Sequence, residues 1–292
     1  METSPASDDP FRPPQSAPAA PSEQRRVSGA STEWDPVEVY TLAWNALRAH
    51  PLTVLAFLLA GIVQLSVSFV LSVAAFALDI DVQTPLTTTW YTYQFVNYAL
   101  AAPLAAYTNL GMARFSLELL RGQRPGIERV FSTEGYLTSL LATVLAQFAV
   151  PVLYALLAGL TVGPGAALFF ATDGGVLSWL LIAVGALVWL CGVAYGSVRI
   201  LWWMSAIAHG ERDALRAFRV AIERSSGQFW PIFAVLLATI PLFLIAVFLG
   251  CCPGLFVGLL VTLPAAIALY TTALMAGFLA TAGERPSMPA RE

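Results

Sequence analysis

The chain has 292 residues, 58% of them hydrophobic and 11% charged, with a formal net charge of −3. Soluble domains carry about 25% charged residues, so this composition excludes an ordinary soluble fold and gives no reason to expect a nucleic-acid partner. The three cysteines, Cys191, Cys251 and Cys252, have no zinc spacing.

Residues 1–34 are rich in Pro, Ser and Ala and read as a disordered cytoplasmic tail with no cleaved signal segment. The membrane domain then covers 35–283, and 284–292 is a second tail. The domain opens on Asp35-Pro36-Val37-Glu38, a capping box with Asp35 at the N-cap and Pro36 at the first helical position. In the helix that follows, Val37, Tyr40, Ala43, Trp44 and Leu47 share one face, and Glu38, Thr41, Asn45 and Arg48 the other. That pattern predicts a helix lying in the membrane interface.

About 20 apolar residues cross a bilayer as a helix. Six segments qualify: Leu52–Leu78, Tyr93–Phe115, Leu137–Thr161, Val176–Trp203, Phe229–Leu249 and Leu255–Ala280. The second is the most polar, interrupted by Asn97, Pro103, Asn109 and Arg114. At its inner end Arg114 and Glu118 are one helical turn apart, which predicts an ion pair snorkelling to the headgroups. Shorter amphipathic segments, Ile127–Phe131 and Asp213–Ser225, precede the third and fifth spans. In the latter, Leu215, Phe218, Ala221 and Ile222 form an apolar arc against Arg212, Arg216, Arg219 and Glu223. Gly250 to Gly254 is a tight turn joining the fifth and sixth spans.

The chain has no lysine, so its fifteen arginines carry the orientation signal. All lie in the N-terminal arm, the second-to-third and fourth-to-fifth connections, the flanking span ends, or the C-terminal tail. The other connections hold Asp79, Asp81 and Asp173 and no Arg. Six spans with both termini cytoplasmic, in the cell inner membrane, follow from this alternation. Trp90 and Trp179 are expected as outer interfacial anchors, and Trp202, Trp203 and Trp230 as inner ones. Cys191 is expected as mid-span packing.

The even-numbered spans resemble one another. Tyr107-Thr108-x-x-x-Met112-Ala113-x-Phe115 matches Tyr270-Thr271-x-x-x-Met275-Ala276-x-Phe278. Tyr107, Tyr195 and Tyr270 are followed by Gly122-Gln123-Arg124, Gly210-Glu211-Arg212 and Gly283-Glu284-Arg285, each predicted to stop a helix. Three parallel units are therefore expected, each an interfacial helix plus a hairpin, over 35–124, 125–212 and 213–285. The fold class is all-α, a polytopic bundle of six transmembrane helices with interfacial amphipathic helices and this threefold hairpin repeat.

Trp44-Asn45…His50-Pro51, Arg121-Gly122-x-Arg124-Pro125 before Phe131-Ser132, and Ala217…Gly227-x-Phe229-Trp230 carry a resemblance over roughly 36–283. The chain resembles a family of bacterial six-span membrane proteins of unknown function, related to the membrane domain attached to some glycerophosphodiester phosphodiesterases. The resemblance implies a fold and a location and brings no activity.

No catalytic constellation is visible. His50 and His209 sit at span ends without a carboxylate cluster, and there is no Walker loop or nucleophile elbow. No enzyme activity, cofactor or metal is expected. Deep polar groups are neutral: Gln64, Ser66, Ser68, Ser72, Asn97, Asn109 and Gln147. Two function classes remain. One is a non-enzymatic module that meets membrane lipid or a partner membrane protein at the cytoplasmic leaflet through Arg212, Leu215, Arg216, Phe218, Arg219 and Ile222. The other is a permease or channel for a neutral or amphiphilic solute.

Overall fold

The structure, a computed structural model, describes residues 34–80, 84, 87–172, 174–251 and 256–284. Of the expected tails, residues 1–33 and 285–292 lie outside the described residues, as do Asp81, Asp173 and Cys252, whereas Trp34 is buried and Glu284 is ion-paired. Every described element is helical. They are α1 (Pro36–Ala49), α2 (Leu52–Ala77), α3 (Thr88–Leu120), a 3-10 turn (Ile127–Phe131), α4 (Tyr136–Thr161) and α5 (Gly163–Ala171). Then come α6 (Val176–Ile200), α7 (Trp203–Ala208), α8 (Ala214–Arg224), α9 (Phe229–Cys251) and α10 (Phe256–Thr281).

Helix α1 begins as its sequence dictates: the Asp35 carboxylate accepts from the Val37 N–H at 2.9 Å, and Pro36 occupies the first turn. Threonine does the same for α3, where Thr87 accepts from the Trp90 N–H at 3.1 Å. The glycines expected to end α3, α7 and α10 do so. Gly122, Gly210 and Gly283 have φ of 73°, 121° and 75°, a left-handed conformation that side chains resist. Two elements depart from expectation. The fourth span continues past a break at Leu201–Trp202 into α7, and α5 occupies a stretch expected to be loop.

Helices α2, α4, the continuous α6–α7 segment and α10 are long and apolar enough to cross a membrane, and α8 with α9 adds a bent pair at 103°. The chain therefore has the helices of a membrane protein. Helix α3 spans 33 residues, about 50 Å at 1.5 Å per residue. Its Asn97, Pro103 and Asn109 set it apart from the apolar helices.

Neighbouring helices pair as hairpins: α2 with α3, α4 and α5 with α6, and α9 with α10. Between hairpins, α3 packs on α4, α6 on α9, and α10 on α2. Each contact joins the second helix of one hairpin to the first of another. A tyrosine stands at two of these seams. Tyr107 of α3 donates to the Phe131 carbonyl and meets the Tyr136 ring edge-on at 5.8 Å. Tyr195 of α6 lies 5.6 Å from Phe229. Tyr270 of α10 lies instead beside Leu236 and Thr239 of α9.

The core sits at the arginine-bearing end. There α3, α7 and α10 converge, and Leu119, Ile207, Met275, Phe278 and Leu279 are buried. Trp202, expected as an interfacial anchor, is buried against Phe278 and Trp34. Toward the other end Phe69, Phe76, Leu156, Val184 and Leu244 are exposed. Cys191 is exposed there too, so it packs against nothing deep in the bundle.

Candidate functional site at the arginine-rich end

Helix α8 is set by its N-cap. Asp213 accepts from the N–H groups of Leu215 at 2.8 Å and Arg216 at 3.3 Å. Its inner face is small: Ala214, Ala217 and Ala221 are buried, and the Ser225 hydroxyl donates to the Arg199 carbonyl at 3.1 Å. Phe218 stacks on Trp203 at 5.4 Å. Leu215 and Ile222 point away from the bundle, 68% and 40% exposed. On the third side Arg216 pairs with Glu211 at 3.3 Å and Arg219 is exposed. Arg212 precedes the N-cap and stands apart, lining a separate cleft. The structure thus groups Leu215 with Ile222 and Arg216 with Arg219, and sends Phe218 to the bundle.

Helix α1 has the same three faces. Val39, Ala43, Ala46 and Leu47 are buried, Val37 and Trp44 are exposed, and Glu38, Thr41 and Arg48 make the polar edge. The Arg48 guanidinium lies 4.8 Å over the Trp44 ring. Superposing the two N-caps brings Val37 onto Leu215, Tyr40 onto Phe218, Ala43 onto Ala221 and Trp44 onto Ile222 in sequence register. The Tyr40 hydroxyl donates to the Val235 carbonyl at 2.9 Å and shares a 2.8 Å bond with Thr239. Burial raises the Tyr40 phenol above its ordinary pKa, with the Thr239 bond acting the other way.

A polar latch ties the ends of α3, α7 and α10. His209 Nε2 meets Glu284 Oε1 at 2.7 Å, and Arg121 Nη2 donates to Glu284 Oε2 at 3.0 Å. Partial burial pushes the Glu284 carboxyl up, but these two partners outweigh it and hold the pKa below the ordinary carboxylate value.

Between the start of α4 and the α7–α8 turn lies a cleft of about 430 Å³, lined among others by Arg114, Thr133, Glu134, Gly135, Thr138 and Arg212. Arg114 is 6% exposed. It does not snorkel outward with Glu118, as its spacing suggested. Glu118 is taken by Arg129 of the 3-10 turn, and Arg114 turns inward, with Glu134 at 3.4 Å. A second opening, about 650 Å³ and largely apolar, lies between α3 and α4 beside Tyr98, Pro103, Gln147 and Pro151. Among the described residues no three His, Cys, Asp or Glu side chains gather as a metal site.

No family model matches the chain, and neither a curated protein nor a solved structure is detectably similar to it. Sequence reasoning missed the latch and the cleft, because both join residues far apart in the chain.

Proposed function

We propose that this chain is a non-enzymatic module of the cell inner membrane that engages lipid or a partner membrane protein at the cytoplasmic leaflet through α8. The observation that carries this reading is the placement of Leu215 and Ile222. The bundle holds α8 by its alanines and leaves two large apolar side chains outward, beside a charged edge. Covering each is worth roughly 1.5–3 kcal/mol. A basic residue near an anionic surface gains about 1 kcal/mol, screened by salt. Apolar contact therefore places the helix, and charge selects what it meets.

The same reading takes the chain across the membrane six times with both termini cytoplasmic. The ends of α3, α7 and α10 that carry or adjoin arginines meet at one place, which supports a single arginine-rich side. The cyclic packing of α3 on α4, α6 on α9 and α10 on α2, with a tyrosine at the first two seams, supports a threefold arrangement of hairpin units over 35–124, 125–212 and 213–285. The opening beside Tyr98 and Gln147 favours a second reading, a permease for an amphiphilic solute. Against it stands the plug of buried Leu119, Met275 and Phe278, through which such a solute would have to pass.

Two experiments test the proposal. With native cysteines removed, Asp79→Cys and Thr172→Cys should react with an impermeant thiol reagent from outside, and Gln123→Cys and Arg216→Cys should not. Replacing Arg212, Arg216 and Arg219 by Gln should leave insertion intact and reduce recovery of anionic lipid or an acidic partner. Equal recovery from both proteins would remove the recognition role and put the permease reading ahead.

A further inference from the structure

We propose that the cleft at the start of α4 is a phosphate site, taking either an anionic phospholipid headgroup or a free phosphate ion. The lipid source rests on the reading of this end as leaflet-facing; the ion source does not.

Three features build the site. The first is Arg114, a guanidinium more than nine-tenths buried whose Nη1 has no hydrogen-bond partner and which lines the cleft. A buried charge of this kind is costly unless its donors are met. The second is the N-terminus of α4, 26 residues long, with no side-chain cap. First-turn N–H groups have no intrahelical acceptor, and the helix dipole favours an anion there. Leu137 and Thr138 of that turn line the same cleft. The third is Gly135, at φ 65°, where a Cβ would stand 3.1 Å from Arg114 Nη2. Its bare backbone lets the helix start and the guanidinium address one point. Arg212 stands at the rim, its carbonyl fixed by the Thr138 hydroxyl at 2.9 Å.

Two carboxylates also line the cleft, and both are engaged. Glu211 is held by Arg216 at 3.3 Å. Glu134, 66% exposed, forms ion pairs at 3.4 Å with Arg114 Nη1 and 3.8 Å with Arg129 Nη2 but makes no hydrogen bond to Nη1. Glu134 is thus an internal anion loosely held at the point a phosphate oxygen would take, and it competes with phosphate for Arg114. A phosphate group, with at least two unesterified oxygens that accept separately, satisfies both the guanidinium and the helix start, which one carboxylate at the rim does not.

Binding of radiolabelled inorganic phosphate to the purified full-length protein, by equilibrium dialysis at constant ionic strength, tests the ion source. Motional restriction of spin-labelled phosphatidylglycerol against phosphatidylcholine, in nanodiscs, tests the lipid source. Arg114→Gln should weaken the bound species about tenfold, the loss of one charge-assisted hydrogen bond. Glu134→Gln should tighten it severalfold, a gain that misfolding cannot produce. Saturable phosphate binding without phosphatidylglycerol preference assigns the ion; preference that follows Arg114 and Glu134 assigns the lipid. The double variant Arg216→Gln with Arg219→Gln separates the two readings. Preference lost there but retained in Arg114→Gln overturns the cleft and keeps α8. Preference lost in Arg114→Gln but kept in the double variant leaves the cleft and overturns α8. Neither ligand bound by the wild type, or no gain in Glu134→Gln, overturns the site.

Discussion

The two ends of this bundle are made of similarly apolar helices and solve different problems. At the arginine-rich end α3, α7 and α10 bury Phe278, Met275 and Leu119 among alanines and glycines. At the opposite end Phe76 is 89% exposed, and α2, α4 and α6 leave most of their apolar surface uncovered. Close packing holds the first end, where small residues let helices approach. At the second, α5 seats closely on α6 at Gly165, and polar bonds tie other pairs. Ser68 donates to Asn97 at 2.9 Å, Ser72 meets Tyr93 at 2.8 Å, and Trp189 donates to the Tyr154 carbonyl at 3.0 Å. The neutral polar residues that suggested a solute path are, in these pairs, interhelical ties. Hydrophobicity alone does not say where a membrane bundle is rigid; residue size does.

Removing large side chains should break this contrast most sharply. Phe278→Ala is expected to cost about 3–5 kcal/mol, as for large-to-small changes in packed cores. Phe76→Ala should change unfolding in detergent little, since nothing in the protein covers that ring. Comparable losses from both would show that the open end packs as tightly as the other. Glycines give the next largest effect. At Gly111 a Cβ would stand 1.7 Å from the Val130 carbonyl oxygen, whereas at Gly61 nothing lies within 4 Å. Gly111→Ala should lower stability by about 1–3 kcal/mol, as overpacking does, and Gly61→Ala should be neutral or stabilising. A smaller term comes from the Ser68–Asn97 bond, expected near 0.6 kcal/mol in a double-mutant cycle.

The smallest effect is acid sensitivity at the latch. The Glu284 carboxyl is held below its ordinary value of 4.5 in the folded state. A depressed folded pKa gives stability that is complete above the unfolded value and lost as pH falls through the folded one. The acid limb of the melting-temperature profile should therefore steepen below about pH 4.5 in the wild type and flatten in Glu284→Gln. Its half-exposed setting keeps the change small. Identical profiles would remove the latch from the packed end.

Much of this was legible beforehand. Long apolar runs located the helices to within a few residues, and Asp35 and Asp213 located α1 and α8, because a cap is a local signal. What escaped notice involves a third face or a distant partner. Two-faced reading of α8 grouped Leu215, Phe218 and Ile222, but a helix lying between bundle, bilayer and water has three environments, and the alanines take the bundle. Arg114 and Glu118 are neighbours on a helix, yet Arg129 comes from another element to claim Glu118. Helix α5 was hidden by Gly163-Pro164-Gly165, which reads as loop. Proline fits a first helical turn, and a Cβ at Gly165 would stand 2.7 Å from the Ile182 backbone, so glycine permits the close seat on α6.

The contacts of α9 and α10 with α1 and α3 set a constraint on biosynthesis. Tyr40 reaches Thr239 across 199 residues, Arg121 reaches Glu284 across 163, and Ser116 reaches Thr272 across 156. A ribosome delivers the first hairpin long before its last partner exists. Until α10 emerges, α2 and α3 must wait with their inner faces uncovered by the chain, as non-local contacts require. Assembly of the packed end is therefore an event that follows translation of the final helix, and a chain truncated before α10 should reach the membrane but be an early substrate for proteolysis.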